Sequence, residues 1–372
     1  MKQRPTIEDV ARATSLSIST VSLVLNNKSN VSDDTRRKVQ KAIRTLGYHP
    51  LRSARGLASK ASGNIGFILT DDHFSEVEPF YTHVFLGTEF EAREHNYYIL
   101  LTTVPKRSKR GGAIPRFLQE KNVDGVIVAG KFNPLLIEHI DRLGLPIVLV
   151  DYAVQGAGYS TVLIDNFKGA KAATQHLIGN GRTEIAFVGG DPEHPSILER
   201  FEGYKSALRE NGLPFNPQLV ITDEDDTRIH NGYNAAERLL KQGGKPTALF
   251  AANDAMAIGC MNYLKAARKR IPEDIAIVGF DDIELSSHVE PNLTTVRVFK
   301  AEMGKIAVKR IVEMIREKTR HVSTVHLPVE LIVRASSGSP VQKHLKAGTR
   351  QRLMHRPRSS QVAAGEHDLG RF

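Results

Sequence analysis

Residues 6–57 constrain this chain more than any other stretch, because they read as two short helices joined by a tight turn and followed by a third. They begin T-I-E-D-V-A-R-A-T-S-L-S-I-S-T-V-S-L-V-L-N. Thr6 is placed to cap a first helix, with Asp9 at the capping-box position three residues on. Ile7, Val10 and Ala11 supply its buried face. Ser15 and Leu16 make the turn, and Ser17 caps a second helix that carries Val21, Val24 and Leu25 inward. A third helix is expected from Ser32, with Asp33 and Asp34 in its first turn, Val39, Ala42, Ile43 and Leu46 inward, and a stop at Gly47. An ordinary three-helix bundle is the competing reading. Helix length, turn and exposed hydroxyls agree instead on a helix-turn-helix, whose second helix enters the DNA major groove led by Ser17, Ile18 and Ser19.

Charge is distributed in the same sense. Residues 1–63 hold 12 Lys or Arg against 4 Asp or Glu, and residues 339–372 hold 7 against 2. Residues 64–338 hold 32 against 35, so the net charge of +10 sits at the two ends. A basic head on a near-neutral body is the electrostatic footprint of phosphate binding. Charge alone would also fit a solvated helix face.

At 372 residues the chain exceeds one ordinary domain. Its one cysteine, Cys260, excludes an intramolecular disulfide; in the run A-M-A-I-G-C-M it reads as a buried, inert thiol. There is no apolar leader segment at the N-terminus and no apolar run near 18 residues. A soluble, cytoplasmic protein without a membrane span is expected.

From Asn64 onward, short runs rich in Val and Ile alternate with amphipathic segments. Strands are expected at Ile65–Leu69, Tyr97–Leu101, Val123–Ala129, Ile147–Val150, Thr161–Ile164, Ile185–Val188, Ala248–Ala251 and Ile275–Gly279. Helices are expected at Pro79–His95, Lys168–Asn180, Glu202–Asn211, Asn231–Gln242 and Met256–Arg268. That alternation indicates parallel sheets covered on both faces, and the number of strands suggests two doubly wound lobes. Ligands in such folds sit beyond the carboxyl ends of strands. Those ends are polar here: Asp71 and Asp72, Asp151, Asp165, Asn253 and Asp254, Asp281 and Asp282. Each also precedes a helical segment, so capping accounts for several of them.

No motif compels catalysis, and no cofactor or metal is implied. Gly156-Ala157-Gly158 lacks a third glycine at the dinucleotide-binding spacing, and there is no P-loop or G-x-S-x-G elbow. The histidines form no H-E-x-x-H or Cys/His cluster. The acidic run Asp223–Asp226 could bind a cation but reads better as a solvated loop, and so does the basic run Lys106–Arg110.

The combination resembles the LacI/GalR family of bacterial repressors over about residues 5–338. The head motifs are T-I-E-D-V-A…S-T-V-S…L-N, V-S-D-D-T-R-R-K-V…L-G-Y-H-P and A-R-G-L at 54–57. Those of the body are V-D-G-V-I-V, P-I-V-L-V-D, I-D-N, R-F-E-G-Y, A-A-N-D-A-M-A-I-G, I-P-E-D-I-A-I-V-G-F-D-D-I and P-N-L-T-T-V. The resemblance implies a small all-α helix-turn-helix head plus an α/β body of two doubly wound parallel-sheet lobes, like a periplasmic binding protein. It also implies a homodimer on a pseudo-palindromic double-stranded operator and a small-molecule effector between the lobes.

Carried over residue by residue, the base readers are Ile18, Ser19 and Leu23, with Ser17, Thr20, Ser22 and Asn26 nearer the phosphates. Thr6 and Arg55 complete the DNA-facing set, and Leu57 matches a leucine that wedges into the minor groove. Ile18 and Leu23 stand where relatives often place polar readers, so contact with thymine methyls takes over from hydrogen bonding. Gly56 costs a hinge helix about 1 kcal/mol relative to Ala, which disfavours that helix without DNA. The ligand-facing positions are Phe80, Tyr81, Asp165, Arg200, Asn253 and Asp281. A guanidinium, carboxylates and an aromatic face suit a sugar, a sugar derivative or a nucleobase.

Four segments are therefore expected: a DNA-binding head at 1–49, a hinge helix and linker at 50–63, a ligand-binding and dimerisation body at 64–338, and a disordered basic tail at 339–372 without leucine heptads. The function expected is a ligand-responsive transcriptional regulator, a repressor and not an enzyme. A transport binding protein shares the body but not the head. An α/β enzyme with a DNA anchor would need a catalytic dyad in the cleft.

Overall fold

The computed structural model describes residues 5–25, 28, 30–48, 61–71, 80–105, 114–154, 156, 158–192 and 194–338. Residues 50–60 of the hinge and linker expected at 50–63, with Arg55, Gly56 and Leu57, lie outside these residues, as do the Lys106–Arg110 run, the tail from 339 and Asn26.

The head is three helices, α1 (Ile7–Thr14), α2 (Ile18–Leu25) and α3 (Asp33–Leu46). Their ends are set by short-range chemistry. The Thr6 hydroxyl accepts from the Asp9 amide at 3.3 Å while the Asp9 carboxylate accepts from the Thr6 amide at 2.9 Å, closing a capping box. Ser15 turns left-handed at φ 52° and stops α1, and two residues later the Ser17 hydroxyl accepts from the Thr20 amide at 3.1 Å. Ser32 caps α3, and Gly47, at φ 63°, ends it. Val10, Ala11, Val21, Val24, Val39 and Tyr48 form the buried core. Tyr48 is an addition to the residues expected there.

The body consists of two parallel sheets. Lobe 1 holds β1 (Asn64–Thr70), α4 (Phe80–Glu94), β2 (Tyr98–Val104), α5 (Arg116–Gln119), β3 (Gly125–Ala129), α6 (Pro134–Arg142), β4 (Ile147–Val150) and β5 (Ser160–Ile164). Lobe 2 follows with α7 (Asn166–Gly179), β6 (Ile185–Val188), α8 (Pro195–Glu210), β7 (Val220–Ile221), α9 (Ile229–Lys241), β8 (Ala248–Ala251), α10 (Asp254–Ala266) and β9 (Ala276–Val278). The chain then runs through β10 (Thr295–Arg297), α11 (Lys300–Glu317), β11 (Thr324–Leu327) and β12 (Glu330–Ile332). Strand order is β11-β5-β4-β3-β1-β2 in the first sheet and β7-β6-β8-β9 in the second. Because α11 packs on α4 and β11 pairs with β5, while β10 and β12 pair with each other beside β9, the chain crosses between lobes three times.

Strand positions agree with the apolar runs to within a few residues, but α8 begins at Pro195, seven residues before the expected Glu202. Proline is acceptable in the first turn because its missing N–H has no intrahelical partner there. Arg200 therefore lies in the second turn of α8 and does not open it. Sequence reading also passed over α6, α11 and β10 to β12. Three helix pairs meet at glycines among the described residues, α7 and α8 at Gly203 and two others more closely still. A Cβ on Gly87 of α4 would lie 1.9 Å from the Ala301 carbonyl oxygen of α11, and one on Gly259 of α10 would lie 2.0 Å from the Ile229 carbonyl oxygen of α9.

Candidate effector cleft and DNA-reading face

On the head, α2 turns Val21 and Val24 inward and leaves Ser17, Ile18 and Ser19 outside. Ile18 is 46 % exposed, an apolar side chain at the front of a helix with its buried face already filled. Thr20, Ser22 and Leu23 are half-buried along the same helix. Thr6 is exposed, but both its hydroxyl and its amide serve the capping box.

In the body, the carboxyl ends of strands from both lobes face one cleft of about 790 Å³. Thr70 ends β1, Lys131 follows β3 and Asp151 follows β4; Phe80 and Tyr81 start α4. From lobe 2 come Asp191 and Ser196 after β6, Arg200 on α8, the 222–228 loop after β7, Asn253 after β8 and Asp281 after β9.

Arg200 is the best-anchored of these side chains. It is 5 % exposed, and its guanidinium donates to Asn166 Oδ1 at 2.8 Å, to the Ala252 carbonyl at 2.6 Å and to Asp281 Oδ1 at 3.3 Å. Its Cζ lies 3.8 Å from the Phe280 ring centroid, a cation–π contact that fixes the remaining freedom. Asp281 sits at φ 109°, where an L-residue is strained, and Lys300 Nζ donates to its carbonyl oxygen. Burial lifts the Asp281 carboxyl to about 6, against the opposing pull of Arg200 and Lys300. Across the cleft, the Tyr81 hydroxyl donates to Asp151 Oδ2 at 2.8 Å, and burial together with Asp151 holds that phenol well above its ordinary value. Among the described residues, contacts that join the lobes over the cleft include Ser196 Oγ donating to Asp151 Oδ1 at 3.1 Å and Lys131 Nζ lying 3.5 Å from Asp191.

Of the six ligand-facing residues expected, Phe80, Tyr81, Arg200, Asn253 and Asp281 line this cleft. Asn253 also caps α10, accepting from the Met256 amide at 2.8 Å and donating to the Thr227 carbonyl at 3.1 Å. Asp165 is not in the lining. It caps α7 by accepting from the Lys168 amide at 3.0 Å, and its neighbour Asn166 is the residue that holds Arg200. Missed at the sequence level were Thr70, Lys131, Asp191, His194 and Ser196; of Asp151, only its position after a strand was visible. The Asp223–Asp226 run does border the cleft, with Arg238 bridging Asp223 and Glu224. Among the described residues no cluster is placed to hold a metal ion. No helix among them is long and apolar enough to cross a membrane. Cys260 is fully buried, its Sγ donates to the Gly232 carbonyl at 3.2 Å, and burial pushes the thiol up.

Comparison with known proteins gives the same two parts. Residues 6–51 match the family described as bacterial regulatory proteins, lacI family, and residues 174–337 match a periplasmic binding protein-like domain. The chain is 35 % identical over 334 residues to catabolite control protein A of Priestia megaterium, covering 89 % of this chain and 99 % of that one. A solved complex of the transcriptional regulator CelR with cellobiose superposes with a TM-score of 0.68 at 31 % identity, over 90 % of this chain and all of that one. The lac repressor dimer bound to operator and an anti-inducer superposes with a TM-score of 0.76 at 25 % identity, over 91 % of this chain and all of that one. With a helix-turn-helix head, a two-lobed binding body and similarity at this level over 89 % of its length, the chain belongs to the lacI family of bacterial regulatory proteins, ligand-responsive transcriptional regulators that bind DNA.

Proposed function

We propose that this chain is a repressor that binds a pseudo-palindromic operator as a homodimer through residues 1–60 and is controlled by a sugar or sugar derivative held in the cleft. The observation that carries the reading is Arg200, buried at the strand ends, fixed by Asn166 and Phe280, and paired with Asp281 opposite the aromatic pair Phe80 and Tyr81. A fixed guanidinium and carboxylate beside aromatic faces suit adjacent ring hydroxyls. The dimeric, operator-bound lac repressor and the cellobiose-bound CelR support the assembly and the ligand class.

In this reading Ile18, Ser19 and Leu23 touch bases, Ser17, Thr20, Ser22 and Asn26 touch phosphates, Arg55 joins the DNA-facing set, and Leu57 wedges the minor groove. Thr6 and Asp165 serve as helix caps. Residues 1–49, 50–63, 64–338 and 339–372 are head, hinge, body and basic tail. The cleft binds without turnover, because its Ser196 hydroxyl is spent on Asp151 and is not presented by a histidine. The protein works in the cytoplasm, where its operator is. The test is native mass spectrometry of the purified chain, then operator binding with and without the identified ligand. Retention of a carbohydrate that changes operator affinity supports the proposal; an effector-blind operator complex removes it.

A further inference from the structure

Among the described lining residues of the cleft, seven carboxylates face three cations. Each of the three already has a carboxylate partner: Lys131 has Asp191 at 3.5 Å, Arg200 has Asp281 at 3.3 Å and Arg228 has Asp226 at 3.3 Å. Asp223 and Glu224 share Arg238, and Asp225 is exposed to solvent. Asp151 has neither remedy. It is 6 % exposed and accepts from the Tyr81 and Ser196 hydroxyls, yet no cation among the described residues lies within ion-pair distance. Arg200 and Lys300 are committed to Asp281.

A buried carboxylate without a counter-charge is costly unless something neutralises it. His194 does not, because burial holds its imidazole below the ordinary value and leaves it neutral. Among the described residues its Nδ1 is buried with no hydrogen-bond partner, and so is the hydroxyl of Thr70, a residue 3 % exposed. Both line the same cleft, and both can accept a hydrogen bond. The floor thus lacks one positive charge and has two acceptors to spare. An ammonium group supplies the charge and three donors.

We propose that the effector of this cleft carries a protonated amine, as an amino sugar does, seated on Asp151, and that phosphorylated and carboxylated compounds are excluded. An anion would meet the excess of carboxylates with every lining cation already paired. The inference rests on the reading of the cleft as the effector site and adds the charge class of its ligand.

The test uses the full chain and matched sets of probes: glucose, glucosamine and glucose 6-phosphate, and the same three forms of galactose. Isothermal titration is expected to show the amino member binding roughly tenfold or more tightly than the neutral sugar, as a charge-assisted hydrogen bond does. The phosphorylated member is expected not to bind. Asp151→Asn should erase the amino preference, and so should raising the pH until the amine is neutral, a control that needs no variant to fold. Equal binding of amino and neutral members, or tighter binding of a phosphorylated one, overturns the inference and leaves the cleft reading standing. Native mass spectrometry adds the ligand retained from cells: one with an amine supports the inference, and one without overturns it alone. Nothing bound in either assay overturns both.

Discussion

The head and the cleft use their functional residues in opposite ways. In the head, the buried core of Val10, Ala11, Val21, Val24, Val39 and Tyr48 is closed without Ser17, Ile18 or Ser19, which stand outside it. Ser17 still caps α2, but Ile18 and Ser19, proposed to face DNA, hold little of the fold, so that pair can be rewritten without opening the core. In the cleft, Arg200 joins partners 34, 52 and 81 positions away in the chain, and Asp281 and Asp151 occupy strained backbone. There the groups offered to a ligand also tie the lobe together. Recognition is separable from stability in one region and entangled with it in the other.

The largest expected effect tests the separation outright. Removing residues 1–60 should abolish specific operator binding and leave ligand titration of the body unchanged. The intact protein's operator affinity should fall steeply with salt, because several phosphates are neutralised. Operator binding that survives the deletion would end the comparison.

Arg200→Ala should strike ligand and fold together. Loss of the guanidinium strands a buried Asp281, a change that costs about 3–5 kcal/mol of stability. Titration and denaturant unfolding of the same sample check both effects, and Arg200→Lys should rescue neither fully, since an ammonium cannot reproduce the fork. A variant with wild-type melting but no ligand binding would show that the entanglement is not real.

A smaller effect concerns proton linkage, where the two regions differ in sign. In the head, the Asp9 carboxyl is held below its ordinary value by the Thr6 amide and hydroxyl, so its contribution is present above about pH 4 and is lost as pH falls. In the body, burial lifts Asp254 to about 7, with the charge of Asp281 adding to the rise, and burial lifts Asp281 to about 6, with Asp151 adding to it against Arg200 and Lys300. The folded body then holds protons that the unfolded chain has released, so this share of stability falls as pH rises from about 4 to about 7. His176 and His194, held low by burial, act in the opposite sense below pH 6.5. The carboxylate share is therefore read as a difference: relative to wild type, Asp254→Asn should gain stability between pH 5 and pH 8. Parallel stability curves for the two proteins would count against it.

The smallest expected change is Ile18→Ala. Operator affinity should drop by about 1 kcal/mol or somewhat more, the scale of one lost base-pair contact, while the melting temperature holds. A destabilised head would mean that Ile18 belongs to the core after all.

The same contrast explains how much could be read beforehand. Head boundaries were legible because their determinants are local: Thr6 and Asp9, Ser17 and Thr20, Ser32 and Gly47. Strands were legible as short apolar runs, buried on both faces. The cleft was legible where family motifs mark it, at Phe80, Tyr81, Arg200, Asn253 and Asp281. Asp165 carries the same motif signal but lies at a helix cap, since an Asp before a helix satisfies its amides whether or not a ligand is near. The Ser196–Asp151 bond spans 45 positions and two lobes, and no local pattern encodes it. By contrast, α11 was within reach: Met303, Ala307, Val308, Ile311 and Val312 repeat at helical spacing.

The glycine contacts between α4 and α11, and between α9 and α10, have a mechanical consequence. Helices whose backbones touch have no side-chain layer in which to slip, and close-packed interiors transmit load without absorbing it. Each lobe should then behave as a stiff arm, with compliance left to the three chain crossings at residues 164–166, 297–300 and 327–330. On the proposed reading, a ligand that drew the arms together would act on them as a hand acts on callipers, its small displacement becoming rotation about that joint with little lost inside either arm.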